Sequence, residues 1–223
     1  MKGDWYGSRP NKPINSTDPT GLTIEDTDED LVMSEGEGII LGEGKEEISD
    51  VGCVLTAYTR IANAVGEQDF TLEEANNMAK ELGLFTETVT NGPKDGLTPE
   101  NGAKLINALL GSAGIKKEVL YSGDIPTSDM TIYGSALNEL QNSPDKYYVT
   151  ARLDTVDKDG NPTKHTVNLN SNPVVAGNLN DPSDALNVKI NDTSGVRNQI
   201  SNDIRKNTLL KSDYFRVVNK GVR

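Results

Sequence analysis

The pattern of apolar and polar positions changes near Asp50. From there on, Cys53, Leu55, Ala57, Ile61, Ala62 and Val65 recur close to helical spacing, and Ser49 or Asp50 offers an N-cap. The spacing predicts a helix over about residues 51–64. A second apolar stripe runs through Leu72, Ala75, Met78, Ala79 and Leu82. Thr71, with Glu74 three residues on, has the form of a capping box, and Gly83 supplies a stop. A third stripe, Leu105, Ile106, Leu109 and Leu110, follows Thr98 as cap and Pro99 at the first helical position, and the helix should end near Gly111.

Beyond Ile115 the period shortens. KKEVLYSG reads as a short strand, and IYGSALNELQNSPDK as a helix over residues 135–141 that runs into a turn. YYVTARLDTV and KHTVNLNSNPVV are β-rich runs on either side of DKDGNP, the pattern of an antiparallel hairpin. LNVKIND reads as a further strand closed by the turn DTSG, and DYFRVVN alternates as an edge or terminal strand does. Helices gathered first and strands later predict an α+β fold, with N-terminal helices packed on a C-terminal antiparallel sheet.

Before Asp50 there is little periodicity. RPNKPINSTDPTGL is rich in turn formers, and TIEDTDEDLVMSEGEGIILGEGKEE is dense in acidic residues and glycine. Residues 1–47 are therefore expected to form a leader, extended or loosely packed. Within it, EDTDED at positions 25–30 lacks the glycine and terminal glutamate of a calcium loop and reads as solvated acidic chain.

Composition narrows the function classes. The 223 residues are 35% hydrophobic and 5% aromatic, enough for one main core with appendages. A formal net charge of -12, with no basic run, repels phosphate backbones and argues against nucleic-acid binding. No apolar stretch approaches the length of a membrane span, and MKGDWYGSRP lacks the apolar core of a signal peptide, so no membrane insertion is expected. One cysteine excludes an internal disulfide and leaves a single free thiol.

That thiol, Cys53, is matched by one histidine, His165. A thiolate nucleophile needs a partner that stabilises the anion, and an imidazole titrating near neutrality is suited to the task. Cys53 stands at a predicted helix N-terminus, where the helix dipole favours the anion. His165 opens a strand, and Asp192 closes a later one, where it is a candidate to hold the far nitrogen of the imidazole. Asn191 is an alternative for that role. No cofactor or metal enters this chemistry.

These motifs resemble those of bacteriocin-processing (double-glycine) peptidases, a branch of the papain-like cysteine peptidases. DVGCVLTAYTRI resembles their nucleophile motif, YYVTARLDTVDKDGNPTKHTVNLNS their histidine-bearing strand pair, and LNVKINDTSG their closing strand and turn, with Thr193 where proline is common. The resemblance spans roughly residues 48–218. It implies a papain-like α+β domain over residues 48–223, with Cys53 as nucleophile, His165 as general base and acid, and Asp192 as orienting group. The family's glutamine upstream of the cysteine, which helps to stabilise the oxyanion, has no counterpart here, since no glutamine precedes Cys53. Backbone N–H groups would have to do its work, or the activity would be weak or absent.

A second resemblance lies in the leader. SRPNKPINSTDPTGL resembles the end of the Rhs/YD-repeat core, matching at Asn11, Pro13, Ile14, Asn15, Asp18, Pro19, Thr20, Gly21 and Leu22. In that family the motif separates a delivery scaffold from a variable C-terminal effector, often a toxin. The resemblance implies a scaffold remnant over residues 1–22, an acidic, glycine-rich linker over 23–47 and an effector beyond. It also implies delivery or export as part of a larger protein, a peptide or protein substrate, and a cognate immunity protein as partner. Related acyl-transfer chemistry, cleavage of the chain itself, and a non-catalytic binding or structural module are the other readings.

Overall fold

Each helix expected from apolar spacing forms, but the first arrives in two pieces. In the computed structural model, residues 31–86, 94–156, 160–169, 175–176, 185–187, 190–191, 203–205 and 208–220 are described. Helix α1 is the single turn Ile48–Val51, and α2 runs Cys53–Gly66. Between them stands Gly52, the N-cap of α2, with no side-chain cap bond; the N-cap of α1 is Glu47. Neither Ser49 nor Asp50 therefore caps the long helix. Ile48 folds back so closely on Gly52 that a Cβ there would lie 2.5 Å from Ile48 Cγ2 and 2.6 Å from Ile48 O. Only glycine admits this joint.

The next two helices follow their caps. In α3, Leu72–Glu81, Thr71 Oγ1 accepts from the Glu74 N–H at 3.2 Å, while the Glu74 carboxylate accepts from the Thr71 N–H at 2.8 Å. Gly83, at φ +62, turns the chain away. In α4, Pro99–Ser112, Thr98 Oγ1 accepts from the Asn101 N–H at 3.2 Å.

Strand β1 spans Lys117–Asp124. Helix α5, Met130–Gln141, starts earlier than residue 135 because Asp129 caps it, accepting from the Thr131 and Ile132 N–H groups at 2.8 and 3.2 Å. The expected hairpin forms from β2, Lys146–Val156, and β3, Pro162–Leu169, with Leu153 opposite His165. Four short strands follow: β4 Val175–Ala176, β5 Ala185–Asn187, β6 Ile190–Asn191 and β7 Asp203–Arg205. LNVKIND is thus two strands rather than one, and they belong to different sheets. The last strand, β8, spans Leu209–Asn219.

The main sheet, antiparallel throughout, has the order β1-β8-β2-β3-β6, and β4-β5-β7 form a small second sheet. The C-terminal strand is therefore interior, not an edge. Its alternation reports two unlike faces, a property shared by interior and edge strands.

Alternation along β2 divides the core into two layers. Tyr148 joins Phe215, Val119 and the apolar faces of α2, α3 and α4, whereas Val149, Ala151 and Leu153 join Val167, Leu169 and α5. The sheet is thus covered by three helices on one side and one on the other, an α+β arrangement. Tyr58 of α2 meets Phe215 edge to face at 5.6 Å, tying the helix that carries Cys53 to the central strand.

The outer edge of β1 is closed by a side chain. Asn107 of α4 accepts from the Val119 N–H at 2.7 Å and donates to Val119 O at 2.8 Å, occupying both outward backbone groups of that residue on the edge. The end of the leader is also packed rather than loose. Met33 and Leu41 are buried, Arg60 Nε donates to Leu31 O at 2.6 Å, and Asn76 accepts from the Gly42 N–H and donates to Ile40 O, both at 2.9 Å. Two apolar anchors and two borrowed polar side chains suffice to hold a segment with little periodicity. Among the described residues no helix is long and apolar enough to cross a membrane.

Candidate active site

Cys53 is the first residue of α2, placed there by the Gly52 joint. The joint is fixed on both sides: the Gly52 N–H donates to Ile48 O at 2.8 Å, and Gly52 O accepts from the Thr56 N–H at 2.9 Å and the Thr56 hydroxyl at 3.0 Å. Cys53 is buried, the residue being 9% exposed. Against it lies the first half of β3, whose outer edge β6 covers only at Asn168 and Leu169. The structure brings together two of the residues singled out in the sequence, since the thiol is hydrogen-bonded to His165.

Burial by itself pushes the Cys53 thiol up, because a desolvated thiolate is costly. His165 opposes this with a hydrogen bond and with the positive charge of its imidazolium. The Thr166 backbone N–H and hydroxyl add two more bonds to the sulfur. The sum holds the thiol below its ordinary value. The α2 N-terminus acts in the same direction. A thiolate held by an imidazolium at the edge of the core is chemically equipped to attack an electrophilic carbon.

Two residues of this environment were not singled out in the sequence, Thr166 and Asn168. Thr166 touches the sulfur, and Asn168 Nδ2 donates to Ala57 O, one turn along α2 from Cys53, at 3.1 Å. The signal was present in the alternation of HTVNL after the lone histidine: polar Thr166 and Asn168 alternate with Val167 and Leu169, yet all four are buried. A buried polar stripe on a strand needs partners on whatever packs against it, and here that is α2.

Asp192 lies outside the described residues. Asn191 ends β6, opposite Asn168 of β3. Glu25 to Asp30 and the leader motif ending at Leu22 also lie outside the described residues.

Two other polar features stand apart. A cavity of about 280 Å³ lined by Val65, Lys117, Pro144, Asp145, Lys146, Val217 and Asn219 abuts the C-terminal end of α2, the end remote from Cys53. On β1 and β8, Asp124 and Asp213 stand opposite each other. Tyr121 donates its hydroxyl to both carboxylates, at 2.5 and 3.2 Å, and Lys211 Nζ lies 3.5 and 3.0 Å from them. Burial pushes Asp213 up to about 6, and its hydrogen bond with Asp124 reinforces the rise while Lys211 opposes it.

No protein-family model matches this chain, and a search of curated proteins finds no match.

Proposed function

We propose that this chain carries a papain-like cysteine peptidase domain, or a related acyl-transfer hydrolase, acting as the C-terminal effector of an Rhs-type protein. The observation that carries the reading is the Cys53–His165 hydrogen bond at the N-terminus of α2, with the thiol held below its ordinary value despite burial. In this reading the Cys53 thiolate adds to an acyl carbon, and His165 gives its proton to the leaving amine as the carbon–nitrogen bond breaks. Water then adds to the thioester with His165 as base, releasing the acid and restoring the thiol. Backbone N–H groups near Cys53 take the part of oxyanion donors. Asp192 is the proposed orienting group for His165, supported by its place directly after β6, which pairs with the same strand.

The remaining parts of the proposal rest on the leader motif: delivery within a larger protein, a peptide or protein substrate and a cognate immunity protein. The experiment measures iodoacetamide alkylation of Cys53 against pH in the parent and in His165→Ala, followed by cleavage of a peptide library. Alkylation that stays fast well below the free-thiol pKa of about 8.5 and fails in His165→Ala, with cleavage abolished by Cys53→Ala, supports the reading. Slow alkylation indifferent to His165 rejects it. The alternative, a non-catalytic binding or structural module, is favoured by one feature, the lack of any glutamine before Cys53. An activated thiol that cleaves no peptide and transfers no acyl group would support that alternative.

A further inference from the structure

Asn168 is an unusual occupant of its position. It is 1% exposed, lies three residues after His165 on β3, and donates Nδ2 to Ala57 O of α2 at 3.1 Å, while its Oδ1 has no hydrogen-bond partner among the described residues. A buried carbonyl without a partner is destabilising, because its lost hydration is not made good. The amide is therefore a poor choice for stability alone. An isosteric leucine would remove the orphan oxygen and bury a methyl pair instead. It would leave Ala57 O with its own intrahelical bond, since Ala57 lies inside α2.

What the amide does supply is a fixed distance. Its one bond joins the helix carrying Cys53 to the strand carrying His165, one turn from the first and three residues from the second. Ala57 offers only a methyl group at this point on α2, and apolar contact is non-directional. A hydrogen bond to a helix carbonyl does set a position along the helix axis. The Cys53 sulfur must meet donors from two successive residues of β3, so a shift of α2 by a few tenths of an ångström lengthens both contacts together.

We propose that Asn168 is a positioning residue, whose bond to Ala57 O sets the register of α2 on β3 and so holds the Cys53 sulfur against His165 and Thr166. The inference rests on the peptidase reading only in taking that thiol as the reactive group. The donor is what matters, and neither the volume nor the acceptor of the side chain can replace it.

The test compares the parent with Asn168→Leu, which keeps the shape, and Asn168→Ala, which removes donor and acceptor together with the volume. Thermal midpoint and the pH profile of Cys53 alkylation are read together. The expected result is a melting temperature for Asn168→Leu at or above the parent's, with the alkylation profile moved up by about one pH unit. That shift is roughly tenfold slower reaction near pH 6. Asn168→Ala should melt below the parent and show the same shift in profile. A parent-like profile in a folded Asn168→Leu overturns the proposal. Loss of folding in both variants also overturns it, because Asn168 would then be a general determinant of stability. If the parent itself shows no His165-dependent thiol, the peptidase reading fails first, and the two failures are thereby distinguished.

Discussion

Thr166 donates both its backbone N–H and its hydroxyl to the sulfur of Cys53, one position along β3 from the histidine that hydrogen-bonds the same atom. The thiolate is therefore held by two residues with different kinds of support. Removing His165 takes away a charge and a bond, whereas Thr166→Val takes away one neutral bond and leaves the backbone donor. In His165→Ala burial dominates, and the thiol should rise above its ordinary value. Alkylation near pH 7 should fall by roughly 10- to 100-fold in His165→Ala and by a few-fold in Thr166→Val. The sign of the linked stability follows. A thiol depressed in the folded state contributes stability above its unfolded pKa and loses it as pH falls through the folded value. The gap in melting temperature between parent and His165→Ala should accordingly be wider at pH 9 than at pH 5.

Gly52 fixes where Cys53 stands. Its backbone, at φ -81 and ψ 14, is open to any residue, so the demand for glycine is wholly one of space beside Ile48. Gly52→Ala must push α1 away from α2, at a cost of about 1–3 kcal/mol. The displaced turn carries Cys53 with it. Denaturant titration should show the loss, and the alkylation profile should move up. A fully stable Gly52→Ala with an unchanged profile would contradict the joint described here.

Asp213 makes the opposite kind of linkage. Its carboxyl is raised from the usual range to about 6, so between about pH 4 and pH 6 the folded chain keeps a proton that the unfolded chain releases. Stability from this group is full below about pH 4 and declines as pH rises to 6. Asp213→Asn should be more stable than the parent at pH 7, with the difference gone by about pH 4. The whole shift corresponds to roughly 3 kcal/mol, and Lys211 together with solvent at the exposed Asp124 reduces the expected gain to about 1 kcal/mol. Melting temperatures across that pH range check it.

Asn107 guards the open edge of the sheet. Its replacement by alanine strips two bonds from Val119 and leaves the β1 backbone ready to pair. The expected loss is about 1–3 kcal/mol, together with self-association that grows with protein concentration. Light scattering on a size-exclusion column separates the two effects, and a monomer at every concentration would show that the edge is protected by something else.

The helices were legible where their ends were written in the sequence. Thr71 with Glu74, and Thr98 with Pro99, name cap positions whose chemistry is local. The Gly52 joint was not legible, because the residue that demands it, Ile48, acts through space rather than through periodicity. The start of α5 was hidden for a different reason. Asp129, the cap, follows the turn formers Pro126, Thr127 and Ser128, which carry no helical period. Strand β8 showed its two faces but not its neighbours, since alternation carries no information about sheet order. For the site, the single cysteine and single histidine restricted the pairing to one possibility. Thr166 and Asn168 stayed hidden because their importance lies in what α2 presents to them. Asp192 remains a reading of the sequence.

The interior place of β8 has a consequence for the order in which the molecule can be assembled. Strands β1 and β2 are not neighbours; each pairs with β8. A chain leaving the ribosome can form α2, α3 and α4 and close the hairpin of β2 and β3, yet nothing joins the hairpin to β1 until residues 209–219 have been made. Pairings between such distant segments are slow to form. During synthesis, the cysteine therefore has its helix well before the sheet that carries its histidine is complete.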